Sequence, residues 1–81
     1  MIIRVRLFAA LKQAADRDLF EVEMSDGATV GQLRRRMAED FSQMSGVVRR
    51  AMFAVDTEYA SDDARIPPES EVACIPPVSG G

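Results

Sequence analysis

The chain has no histidine, no tryptophan and only one cysteine, Cys74. Without histidine, a Ser-His or Cys-His nucleophilic pair is excluded. One cysteine and no histidine also leave nothing from which to build a structural zinc site, so no bound metal is expected. An internal disulfide is impossible, and a lone thiol fits a reducing compartment. No stretch approaches the roughly 18 apolar residues that a membrane-spanning helix requires. The opening residues Met1 to Arg6 alternate charged and apolar side chains instead of forming the apolar core of a signal peptide. A cytoplasmic location is therefore expected, with no membrane partner. A basic excess is missing too: the net charge is −3. Nucleic acid is accordingly not an expected partner.

What remains is an ordinary globular composition, 47% apolar and 28% charged over 81 residues. That length holds one small domain. Ile3, Val5 and Leu7 alternate with charged neighbours and predict a strand with one buried face. Ala9 to Ala15 is rich in strong helix formers and predicts a short helix. Phe20, Val22 and Met24 alternate with Glu21 and Glu23, predicting a second strand that pairs antiparallel with the first. After the turn at Ser25-Asp26-Gly27, Thr29 and Gln32 have capping-box spacing. Val30, Leu33, Met37, Phe41 and Met44 then recur at helical steps, so a helix is expected from about 29 to about 42, ended or interrupted at Ser45-Gly46. Within it, Arg34-Arg35-Arg36 reads as a solvated helix face, with a docking patch for an acidic partner as the alternative.

Ala51 to Val55 reads as an apolar run suited to a buried strand, Glu58-Tyr59-Ala60 as a short edge strand, Ser61 to Ser70 as loop, and Glu71 to Ile75 as a last strand with Val72 and Cys74 on one face. Asp56, Glu58, Asp62, Asp63, Glu69 and Glu71 read as solvated acidic surface. The order predicts an α+β domain: a mixed sheet of four or five strands packed on one main helix plus a short helix, the β-grasp arrangement. Its expected extent is residues 1–76, followed by a flexible tail at 77–81.

The tail is the candidate for chemistry, with a frayed end that happens to finish in glycine as the alternative. Pro76-Pro77 forces an extended exit from the sheet, and Val78-Ser79-Gly80-Gly81 ends in residues small enough to thread a narrow channel. A carboxylate presented that way becomes reactive once it is converted to a mixed anhydride, and sulfur is one nucleophile it can then accept. Cys74 beside Val72 reads as packing rather than as the sulfur carrier. Phe8, at a strand end, is on these grounds alone equally a core residue or an interface residue.

Ile3 to Leu11, Thr29-Val30-Gly31 with Leu33-Arg34, Phe53 to Tyr59 and above all Glu71 to Gly81 resemble the small subunit of molybdopterin synthase, the MoaD-like sulfur carriers. The chain departs from that family in carrying Asp56 where Asn is usual, and Glu69-Ser70 where Gly-Asp is usual. The resemblance implies a ubiquitin-like β-grasp fold and a thiocarboxylate on Gly81. An ATP-dependent, E1-like activating enzyme would adenylate Gly81 and a sulfur donor system would thiolate it; this chain itself would bind no cofactor. The tail from Pro76 through Pro77, Val78, Ser79 and Gly80 would insert into the large subunit, to supply sulfur for the dithiolene of molybdopterin. Docking would use an apolar surface beside the tail that includes Phe8 and Ile75. Carriage of sulfur to another product, conjugation to proteins as a ubiquitin-like modifier, and a plain interaction domain remain the alternatives.

Overall fold

Residues 1–77 are described by the computed structural model; Val78, Ser79, Gly80 and Gly81 lie outside the described residues. The elements are β1 (Ile2–Leu7), α1 (Ala9–Ala15), β2 (Leu19–Glu23), α2 (Val30–Asp40), a 3-10 turn (Ser42–Met44), α3 (Ser45–Arg50), β3 (Met52–Val55), β4 (Glu58–Ala60) and β5 (Glu71–Ile75). The five strands form one sheet in the order β2-β1-β5-β3-β4. β1 and β5 run parallel at its centre, and the other neighbours are antiparallel. This is the expected β-grasp, with its helices packed on one face of the sheet.

Alternation decides which face is covered. Ile3, Val5 and Leu7 on β1, Phe20 and Val22 on β2, Phe53 on β3, and Val72 and Cys74 on β5 all turn inward and are buried. Val30, Leu33 and Met37 on α2 meet them and are fully buried. Burying side chains of this size contributes roughly 1.5–3 kcal/mol each. The Phe20 and Phe41 rings sit 5.0 Å apart at one edge of this core. No helix among the described residues is long and apolar enough to cross a membrane.

The first turn of α2 shows why the chain starts a helix there. Gln32 N–H donates to Thr29 Oγ1 (3.2 Å), and Thr29 N–H donates to Gln32 Oε1 (2.9 Å), completing the capping box. The N–H groups of Val30 and Gly31 donate instead to the Ala64 and Asp62 carbonyls, each at 2.9 Å. Every orphan donor of that turn is therefore satisfied. A Cβ on Gly31 would come within 3.2 Å of the Asp62 carbonyl, so the absence of a side chain there permits the loop's close approach.

Three expectations need correction. Ser45-Gly46 does not end the helical region but opens α3, whose Val48 is fully buried. The segment 61–70 is not only loop: Ile66 is 2% exposed, its N–H donates to Ala28 O, and Arg65 bridges to Thr29. The strand expected to be buried at Met52–Val55 is buried at Phe53 and Ala54, but Met52 is 51% exposed.

The two departures in the turns have separate outcomes. Asp56 Oδ1 accepts from Glu71 N–H at 2.9 Å, and Asp56 N–H donates to Glu71 O at 2.7 Å. An asparagine oxygen would accept in the same way, so the exchange keeps the link between the β3–β4 turn and β5. Glu69 is different: its φ is 63°, in a turn closed by Ser70 N–H donating to Pro67 O. That left-handed position favours glycine. Glu69→Gly is expected to raise stability by up to about 1 kcal/mol, read as a higher urea midpoint at unchanged slope.

Candidate functional site

With the helices on one face, the other face of the sheet is left uncovered. The outward-facing residues fall into cross-strand rows fixed by the pairing register. Glu21, Arg4 and Glu71 make one row; Leu19, Arg6, Ala73, Ala54 and Tyr59 make the next. Beyond them Ile75 pairs with Met52, and Phe8 follows Leu7, the partner of Cys74, at the same end of the sheet. Ile2, Phe8, Leu19, Met52 and Tyr59 are the large apolar side chains that stand exposed, at 40–67%. Their strand positions put them on the uncovered face or at its end, none of them on the helices. Ile2 at the start of β1 and Tyr59 on the edge strand β4 stand apart, as scattered apolar exposure commonly does, whereas Phe8 and Met52 lie together beside Ile75.

The sequence-predicted residues divide among these places. Phe8 is exposed, at the N-cap of α1, which decides between its two readings in favour of the surface. Ile75 is half-buried in the same end of the sheet. Pro76 is buried, so it packs with the domain, whereas Pro77 is exposed. Val78, Ser79, Gly80 and Gly81 are outside the described residues. Met52, Leu19 and Tyr59 are the site residues that sequence reasoning missed. For Leu19 the period-2 alternation along β2 was the available signal; the apolar run around Met52 and the three residues of β4 carry none.

Cys74 is fully buried at the centre of β5, and burial pushes its thiol from 9.0 up to about 12, against a smaller opposing influence from the Arg34 charge. The thiol is thus protonated at neutral pH and shielded from reagents, which suits packing and not nucleophilic sulfur transfer. Because the folded value lies above the unfolded one, the contribution is present below about pH 9 and is lost as pH rises towards 12. Between those values the wild type is expected to lose about 1.4 kcal/mol per pH unit more than Cys74→Ala, measured by urea unfolding across that range.

Arg34 corrects the solvated-face reading of the arginine run. Its side chain is 17% exposed, and its guanidinium lies over the Phe53 ring at 4.9 Å from the centroid. Nη1 donates to the carbonyls of Val48 (3.1 Å), Arg49 (3.0 Å) and Ala51 (2.6 Å). Nε and Nη2 both reach Asp62 Oδ1. Arg34 therefore caps the C-terminal end of α3 and ties it to the 61–70 segment, while Arg35 and Arg36 remain on the surface. Asp62 likewise is more than solvated acidic surface.

Comparison with known proteins bears directly on this arrangement. The ThiS family model matches residues 5–81. The chain belongs to the ThiS family. Among curated relatives, the molybdopterin synthase sulfur carrier subunit of Dictyostelium discoideum is 33% identical, over 96% of this chain and 94% of its own. SAMP1 from Haloferax volcanii, a small archaeal modifier protein, has a solved structure 25% identical with a TM-score of 0.82 over the whole of both chains. A chain from the protein–protein complex of subunits 1 and 2 of molybdopterin-converting factor from Helicobacter pylori shares the fold at 17% identity, with a TM-score of 0.68 over the whole of both chains. The family resemblance read from the motifs and the β-grasp fold are both borne out.

Proposed function

We propose that this ThiS-family chain is the sulfur carrier subunit of a molybdopterin synthase, that Gly81 is its reagent, and that the uncovered sheet face is its docking surface. The observation that carries the reading is that exposed Phe8 and Met52 lie with half-buried Ile75 at the end of β5, the strand that leads in sequence to the diglycine. Tail delivery and docking then belong to one end of the molecule, as a carrier requires.

The chemistry needs no side chain of this chain as acid, base or nucleophile. On the activating enzyme, a Gly81 carboxylate oxygen attacks the α-phosphorus of ATP and pyrophosphate departs. Hydrosulfide released by the sulfur donor then attacks the acyl carbon, AMP leaves with the electron pair of the broken acyl–oxygen bond, and loss of the proton from sulfur leaves Gly81 as a thiocarboxylate. Pro77, Val78, Ser79 and Gly80 are the part that enters the large subunit; Pro76 stays packed with the domain. A cytoplasmic setting, where ATP and reduced thiols are available, fits this cycle.

Likeness to SAMP1 favours one competing reading, attachment of Gly81 to protein lysines. The acceptor decides between them. With ATP, activating enzyme and sulfur donor supplied, the carrier reading expects thiocarboxylate and no isopeptide conjugates. Docking is tested by calorimetry with the cognate molybdopterin synthase large subunit. Met52→Asp should weaken binding at least tenfold, the loss typical of an anchor residue, and Arg35→Asp on the helical face should not. Equal effects of the two changes would remove the sheet face from the proposal.

A further inference from the structure

Arg6 is a cation on the uncovered face that no carboxylate among the described residues answers. Arg4 stands between two carboxylates, Glu21 on β2 and Glu71 on β5, and its Nε bonds Glu21 Oε2 at 2.8 Å. Arg6, one row along, stands between Leu19 and Ala73. It is exposed and makes no ion pair with any of the described residues. The next row towards the tail holds Ile75 and Met52, with Phe8 at the same end. Arg6 also lines an open cleft of about 620 Å³, whose walls include Ile2, Arg4, Leu19 and Glu71. An unanswered guanidinium therefore sits on the seam between the polar row and the apolar end of the docking face.

Covering that face would strip water from Arg6. Removing one member of a buried pair is strongly destabilising, because a charge is left desolvated without a counter-charge, and a partner offering only apolar atoms would incur that cost. The long apolar stem lets the charged head stay wet only if it can reach the rim. β1 is an inner strand, with β2 on one side and three strands on the other, so the head must pass over Leu19 to get there. Arginine is also the charged residue most often found to anchor interfaces, since its planar fork matches a carboxylate with two parallel hydrogen bonds.

We infer that the partner surface meeting this sheet presents an aspartate or glutamate carboxylate to Arg6, set within an otherwise apolar patch that covers Phe8, Met52 and Ile75. This rests on the sheet face being the docking surface. It adds the chemistry that selects the partner. Apolar contact holds the complex, and the Arg6 pair fixes its register and rejects basic surfaces.

The test is titration of the cognate large subunit with four chains: wild type, Arg6→Met, Arg6→Glu and Met52→Asp. The Arg6 side chain makes no hydrogen bond or ion pair with the described residues, so both Arg6 variants are expected to unfold near the wild-type temperature. A partner carboxylate predicts at least tenfold weaker binding for Arg6→Met and at least hundredfold for Arg6→Glu. It also predicts a smaller loss of affinity with added salt for Arg6→Met than for wild type. Arg6→Met binding as tightly as wild type, or tighter, with Met52→Asp still weak, overturns the carboxylate and leaves the docking face standing. Unchanged binding by Met52→Asp overturns the docking face itself, and the inference with it.

Discussion

Replacing Arg34 with methionine should lower the stability of the domain by about 2–4 kcal/mol, although the residue lies in a run of three arginines that reads as surface. The change keeps much of the side chain's length and apolar stem. It removes the donors that satisfy the carbonyls of Val48, Arg49 and Ala51. Val48 O keeps the Ala51 N–H and the Arg49 carbonyl is exposed, so the main cost is the part-buried Ala51 carbonyl, about 1–3 kcal/mol, and loss of the cation from above the Phe53 ring adds to this. For a domain of this size the sum corresponds to a fall in melting temperature on the order of 10–25 °C. Asp62→Asn provides the control. Asp62 is 56% exposed, so its pairing with Arg34 is worth no more than about 1 kcal/mol. Arg34→Lys should recover only part of the loss, because one ammonium cannot reach three carbonyls and a carboxylate together. Thermal unfolding of the three variants checks the order. An Arg34→Met protein as stable as wild type would show that α3 needs no such cap.

Deleting Gly81, or adding one residue after it, is expected to abolish sulfur transfer while leaving the fold and melting temperature unchanged. The proposed reagent is the Gly81 carboxylate, and no side chain of the domain can replace it: there is no histidine, and the one thiol is buried and protonated. Shortening the chain moves the carboxylate back by one residue, about 3.3–3.6 Å of extended backbone, far beyond the tolerance of a reacting centre. Synthase turnover with the reconstituted activating and donor enzymes measures the effect. Retained turnover in either variant would mean that the tail is not the reagent.

How much of this was legible in the sequence follows from the range of each interaction. β1, α1, β2 and the start of α2 were readable because alternation, helix propensity and the Thr29–Gln32 box are local. α3 was not, because Ser45-Gly46 carries a stop signal and the six residues Ser45–Arg50 are too few to show a period. Ile66 is a single apolar residue in an acidic, proline-containing stretch, and it is held inward by long-range bonds between that stretch and residues 28–31. Arg34 differs from Arg35 and Arg36 solely through partners 14 to 28 residues away. For the candidate site, Phe8 and Ile75 were found through the family resemblance, whereas Met52 was hidden inside an apolar run that names no outward face. Which residues gather on that face was settled by the register of β3 on β5, a long-range property.

Intact-mass analysis of the chain, purified from cells that make molybdenum cofactor and express the activating enzyme, tests the carrier reading most directly. The expected result is a species heavier by one oxygen-to-sulfur exchange, localised by fragmentation to Gly81 and retained in Cys74→Ala. A chain that never acquires that mass, or acquires it on Cys74, would contradict the account.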